Sequence, residues 1–183
     1  LNLPNYLTLL RITLVPVFFT LLVSYGNGRD AYRVWALAVF LLAAFTDALD
    51  GLVARLTHQR TELGTFLDPL ADKLLLLSGY LGILFVSTLP YHPPLWITVT
   101  IVFRDGVIVT GMVIIFLVTR KIKSVSPHWL GKVTTVFQMA GLIAILLKHS
   151  ASVWLWNITA VLTILSGIIY VRRGIQALAK GSI

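Results

Sequence analysis

Residues 34–55 read VWALAVFLLAAFTDALDGLVAR, and residues 64–86 read GTFLDPLADKLLLLSGYLGILFV. Each is an apolar run of about the 20 residues that a helix needs to cross a bilayer. Each also carries two aspartates at one end. Asp47 and Asp50 close the first run at spacing i, i+3, and Asp68 and Asp72 open the second at i, i+4. Both spacings put the pair on one face of a helix. Consecutive spans run antiparallel, so both acid-bearing ends face the same side. Four of the chain's seven acidic residues can then converge on one volume.

The rest of the chain has the same character. Of 183 residues, 57% are hydrophobic and only 12% charged, about half the charged share of a soluble domain. That composition excludes an ordinary cytosolic domain, a disordered tail and a collagen-like fibre. It predicts an all-α polytopic membrane protein forming one domain over residues 1–183. Six spans are expected: Tyr6–Ser24, Val34–Arg55, Phe66–Val86, Trp96–Thr119, Val133–Leu147 and Val153–Val171. Gly26-Asn27-Gly28 separates the first two. Prolines between Leu89 and Pro94 separate the third and fourth. The first stretch has no basic segment before it and carries Arg11, which is not a signal-peptide pattern.

The net charge is +8. In a soluble protein this would suggest nucleic acid. Here basic loops beside anionic headgroups explain it better, and no nucleic-acid partner is expected. Nine of the fifteen Lys and Arg residues fall at one set of helix ends and three at the other. The positive-inside rule then predicts both termini in the cytoplasm. Trp96, Trp154 and Trp156 are expected at one interface and Trp129 at the other. There is no cysteine, which excludes disulfides and thiolate chemistry. His58, His92, His128 and His149 stand singly and are assigned no chemistry.

Converging carboxylates repel one another and would protonate unless neutralised. Two divalent cations would balance four such charges, and all-oxygen ligands suit Mg²⁺ or Mn²⁺. Paired metals commonly clamp the attacking and leaving oxygens in displacement at phosphorus. Gly51 and Gly64 allow close approach of a phosphate ligand. Arg55 offers it a bidentate fork. A divalent-cation transporter is the rival from another class. It predicts acids near the midplane on broken helices and symmetry between halves, and the sequence shows neither.

The run from Asp47 to Asp72 resembles the signature of the CDP-alcohol phosphotransferases, D-x2-D-G-x2-A-R-x8-G-x3-D-x3-D, at every specified position. The segments from Asn2 to Arg11 and from Gly131 to Met139 resemble phosphatidylglycerophosphate synthases of that family. The resemblance implies a six-helix homodimeric enzyme of the bacterial inner membrane with its active site facing the cytoplasm. It would move a phosphatidyl group from CDP-diacylglycerol to an alcohol, releasing CMP. It implies that Asp47, Asp50, Asp68 and Asp72 hold two cations and that Asp72 also activates the acceptor hydroxyl. Gly51, Arg55, Thr61 and Gly64 would touch the CDP moiety, with Asn5 and Thr8 at its far edge.

For the acceptor, glycerol 3-phosphate leads, and Arg104, Lys123 and Lys132 are candidates to hold its phosphate. Arg104 has a second reading, as an intramembrane ion pair with Asp105 or a motif acid. The synthases usually carry another arginine about two turns after Arg104. This chain reads Val109-Thr110-Gly111-Met112 there. The Arg-Asp pair alone also resembles cardiolipin synthases, whose acceptor is phosphatidylglycerol.

Overall fold

The computed structural model describes residues 3–27, 29–57, 62–119 and 129–179, with side chains for 6–26, 29–47, 49, 67–68, 70–111, 113 and 129–172. The described residues form six α-helices and no strand. These are α1 (Leu3–Ser24), α2 (Asp30–Thr57), α3 (Glu62–Ile83), α4 (Leu95–Thr119), α5 (Trp129–Leu146) and α6 (Ser152–Ala179), with a 3₁₀ turn at Tyr25–Asn27. Among the described residues three segments are long and apolar enough to cross a membrane: Tyr6–Ser24, Trp129–Leu146 and Ser152–Arg172.

The helices begin and end beyond several of the apolar windows that announced them. The second starts at Asp30, four residues before Val34. An acid in the first turn suits the helix dipole, and Arg33 donates to both Asp30 oxygens, at 3.0 and 2.6 Å. That hydrogen bonding holds Arg33 still more firmly protonated than usual. The third runs Glu62–Ile83 instead of Phe66–Val86. Past Ile83, bonds such as Phe85 N–H to Gly82 O tighten it into turns. The fifth begins at Trp129, before Val133, and ends in a Schellman closure. His149 N–H reaches Ala144 O and Lys148 N–H reaches Ile145 O, with Lys148 at φ 57°.

The chain forms two compact units, Leu1–His92 and Pro93–Ile183. In the first, α1 packs along both α2 and α3, which touch each other little. Against α2 it runs antiparallel: Arg11 meets Asp47, and the Phe18 and Phe40 rings lie 5.4 Å apart. Against α3 it runs parallel, Thr8 meeting Asp68 as Leu22 meets Gly82. A Cβ at Gly82 would lie 2.7 Å from Leu22 Cδ2, so this glycine lets the helices close, as small residues do between membrane helices. In the second unit α6 packs on α5 and, less extensively, on α4. Thr134 Oγ1 donates to Leu130 O, and a longer contact of 3.4 Å reaches Leu162 O on α6.

Polarity is arranged for a hydrocarbon solvent. Phe45, Phe103, Val136 and Val161 are exposed, while Arg11, Lys73, Arg104, Asp105 and Gln138 are buried. Exposed apolar side chains beside buried charged ones are the arrangement that an apolar solvent favours. Trp96, Trp129 and Trp154 are exposed, as an interfacial belt requires. Trp156 is not, at 6% exposure. Two residues after Trp154 on a helix, it points about 200° away and enters the core. Trp35, exposed near the start of α2, joins the outward-facing tryptophans instead.

Candidate active site

The site is assembled on the N-terminal half of α1. Thr8 and Arg11 are spaced i, i+3 and share a face. Thr8 Oγ1 donates to Asp68 Oδ1 on α3 at 2.6 Å. Arg11 Nη1 lies 2.6 Å from Asp47 Oδ1 on α2, the arginine wholly buried and the aspartate side chain 43% exposed. Asp68 is within electrostatic reach of Asp47. Asp72, one turn beyond Asp68, is half-buried between the buried Ala71 and Lys73.

Asp47 of α2 and Asp68 of α3 are thus both held on one face of α1, within electrostatic reach of each other. Thr8, expected at the edge of the CDP pocket, fastens a motif acid. Arg11 was missed as a site residue, although a buried arginine one turn after Thr8 in an apolar helix was a legible signal. Asp50, Gly51, Arg55 and Gly64 lie on described helices, as does Asn5, but their surroundings fall outside the described residues. Thr61 and Lys123 fall outside them altogether.

Removing the α1 brace on Asp68 has a measurable cost. Hydrogen bonds to charged groups contribute about 1.5–3 kcal/mol. Because Asp68 keeps some solvent, Thr8→Val is expected to cost about 1.5 kcal/mol. A lowered thermal midpoint in detergent checks it.

The second unit holds a buried polar group of its own. Arg104 Nη1 lies 2.6 Å from Asp105 Oδ1, and Gln138 Nε2 donates to Asp105 Oδ2 at 3.1 Å. Asp105 is fully buried and Arg104 nearly so. Of the two readings of Arg104, the pair with adjacent Asp105 is present. Arg104 Nε is also buried, with no hydrogen-bond partner among the described residues. A Cβ at Gly131 would lie 3.3 Å from Arg104 Nη2, so the guanidinium rests against the start of α5. Exposed Lys132 follows Gly131 there, so two of the three expected acceptor-binding residues lie on neighbouring stretches.

Among the described residues no three metal-ligating side chains form a ready cluster, and Asp50 lies outside that set. The donors present are nevertheless hard carboxylate oxygens, suited to Mg²⁺ or Mn²⁺. Arg11 already supplies positive charge to Asp47, the electrostatic demand that a bound cation would meet.

A family model described as CDP-alcohol phosphatidyltransferase matches residues 1–165. A Mycobacterium tuberculosis protein named "Probable phosphatidylglycerophosphate synthase" is 37% identical over 180 residues, covering 96% of this chain and 82% of that one. A Salmonella choleraesuis protein named CDP-diacylglycerol--glycerol-3-phosphate 3-phosphatidyltransferase is 35% identical over 177 residues, 92% of each chain. A Yersinia enterocolitica protein with the same name is 37% identical over 171 residues, 89% of each chain.

Proposed function

The chain belongs to the CDP-alcohol phosphatidyltransferase family, and from that premise we propose that it transfers a phosphatidyl group from CDP-diacylglycerol to glycerol 3-phosphate. CMP is the other product. The carrying observation is that Asp47 and Asp68, from two helices, are both fastened to the Thr8–Arg11 face of α1. The names of the relatives supply the acceptor. Family membership removes the transporter reading.

In this mechanism the acceptor hydroxyl oxygen forms the new bond to the phosphatidyl phosphorus. The bond from that phosphorus to the bridging oxygen breaks, and CMP departs with the electron pair. Asp72 takes the hydroxyl proton as general base. Asp47, Asp50, Asp68 and Asp72 would hold two divalent cations, whose chemistry is to neutralise the diphosphate and stabilise the leaving group. Gly51, Arg55, Thr61 and Gly64 grip the CDP moiety, with Asn5 and Thr8 at its edge. Arg104, Lys123 and Lys132 hold the acceptor phosphate.

The proposed setting is a bacterial inner membrane, with six crossings, both termini and the active site on the cytoplasmic side, and residues 1–183 working as one domain in a homodimer. The charge asymmetry of the helix ends and the exposed apolar faces support it.

Purified protein given labelled CDP-diacylglycerol is expected to release CMP with glycerol 3-phosphate, and to stop when EDTA removes divalent cations. Activity with phosphatidylglycerol alone would reassign it as a cardiolipin synthase, the reading favoured by the missing second arginine at Val109–Met112. Cation-independent CMP release would remove the metals from the mechanism.

A further inference from the structure

Within the second unit a cavity of about 510 Å³ lies between α4 and α6, inside the ~300–1,000 Å³ range of ligand pockets. Its walls are mainly apolar, with Phe103 and Val107 from α4 and Ile164 and Ile168 from α6, and Arg104, Thr163 and Tyr170 also line it. The four apolar residues are also exposed, so the cavity opens along its side. Gly167 lines it, and a Cβ there would meet nothing nearer than Arg104 Cγ, at 3.7 Å. Part of the hollow is thus side-chain volume that Gly167 does not supply. At the C-terminal end the lining closes with exposed Arg172.

Dimensions and charge select the occupant. From Ile164 to Arg172 the wall follows ~12 Å of helix, close to half of the ~30 Å hydrocarbon layer. A helix from a second copy, ~10 Å or more across, is too thick for a hollow of this volume. A water-soluble ligand finds almost no polar wall. An alkyl chain fits, and a cation at the mouth suits an anionic head.

The geometry points to a seat for one acyl chain of an anionic phospholipid from the cytoplasmic leaflet, with its phosphate at Arg172 and its chain along the Gly167 wall. This rests on the topology proposed above, which puts the Arg172 end of α6 at the cytoplasmic face. The bound lipid is a resident one, distinct from the CDP-diacylglycerol being consumed.

Native mass spectrometry of the detergent-purified protein, titrated with phosphatidylglycerol or phosphatidylcholine, tests the seat. Wild type is expected to retain phosphatidylglycerol about fivefold better, the preference one basic side chain gives. Arg172→Gln, a surface change that leaves the core intact, should erase the preference. Gly167→Leu should fill the hollow and reduce retention of both lipids, with the KM for CDP-diacylglycerol unchanged. Equal retention of the two lipids by wild type would overturn the proposal. So would a rise in that KM in Gly167→Leu, since the groove would then seat the substrate's own chain, or a changed oligomeric state without lipid loss. CMP release, read separately, reports on the enzymatic reading: its absence in wild type sinks that reading and leaves the lipid preference to be judged alone.

Discussion

Asp72→Asn is expected to leave CDP-diacylglycerol binding within about threefold of wild type while lowering turnover by about a thousandfold, within the span attributed to general-base groups. The amide keeps the shape and an oxygen donor but cannot accept the acceptor's proton. Its neighbours favour a local effect, because Ala71 and Lys73 are buried and fix the helix while Asp72 stays partly accessible. Equilibrium binding of labelled CDP-diacylglycerol in detergent, beside CMP release, separates the two quantities. Turnover near wild type would end the assignment. Loss of binding together with turnover would make Asp72 chiefly a cation ligand.

Asp47→Ala is expected to disturb both stability and chemistry. It takes from the wholly buried Arg11 guanidinium a carboxylate at 2.6 Å. Breaking a buried pair from one side costs about 3–5 kcal/mol. Because the Asp47 side chain is 43% exposed, the lower end, about 3 kcal/mol, applies. Arg11→Met should cost less, since the carboxylate left behind retains water. The double variant Arg11→Met with Asp47→Ala should recover stability relative to Asp47→Ala alone, because the buried guanidinium is removed together with the carboxylate 2.6 Å from it. It should stay inactive, having lost a motif acid. Thermal midpoints in detergent and CMP release measure the two effects. Recovery of activity in the double variant would mean that Asp47 serves only to neutralise Arg11.

The helical content was legible because apolar runs of membrane length leave few alternatives. Helix ends were less so: hydropathy marks where the chain is apolar, whereas Asp30 with Arg33, or the Lys148 closure, decides where hydrogen bonding stops. Trp156 shows the same gap. Composition placed it at an interface beside Trp154, and helical phase turned it inward.

The pattern from Asp47 to Asp72 by itself marked the family, because carboxylates that share a helix face must recur at helical intervals whatever lies around them. Only the tertiary structure decided that α1 stands between the acid-bearing helices, parallel to one and antiparallel to the other. It also paired Arg104 with Asp105, whose second carboxylate oxygen accepts from Gln138 on α5. Periodicity fixes which face of a helix is polar. Which neighbour that face meets depends on packing between segments far apart in the chain.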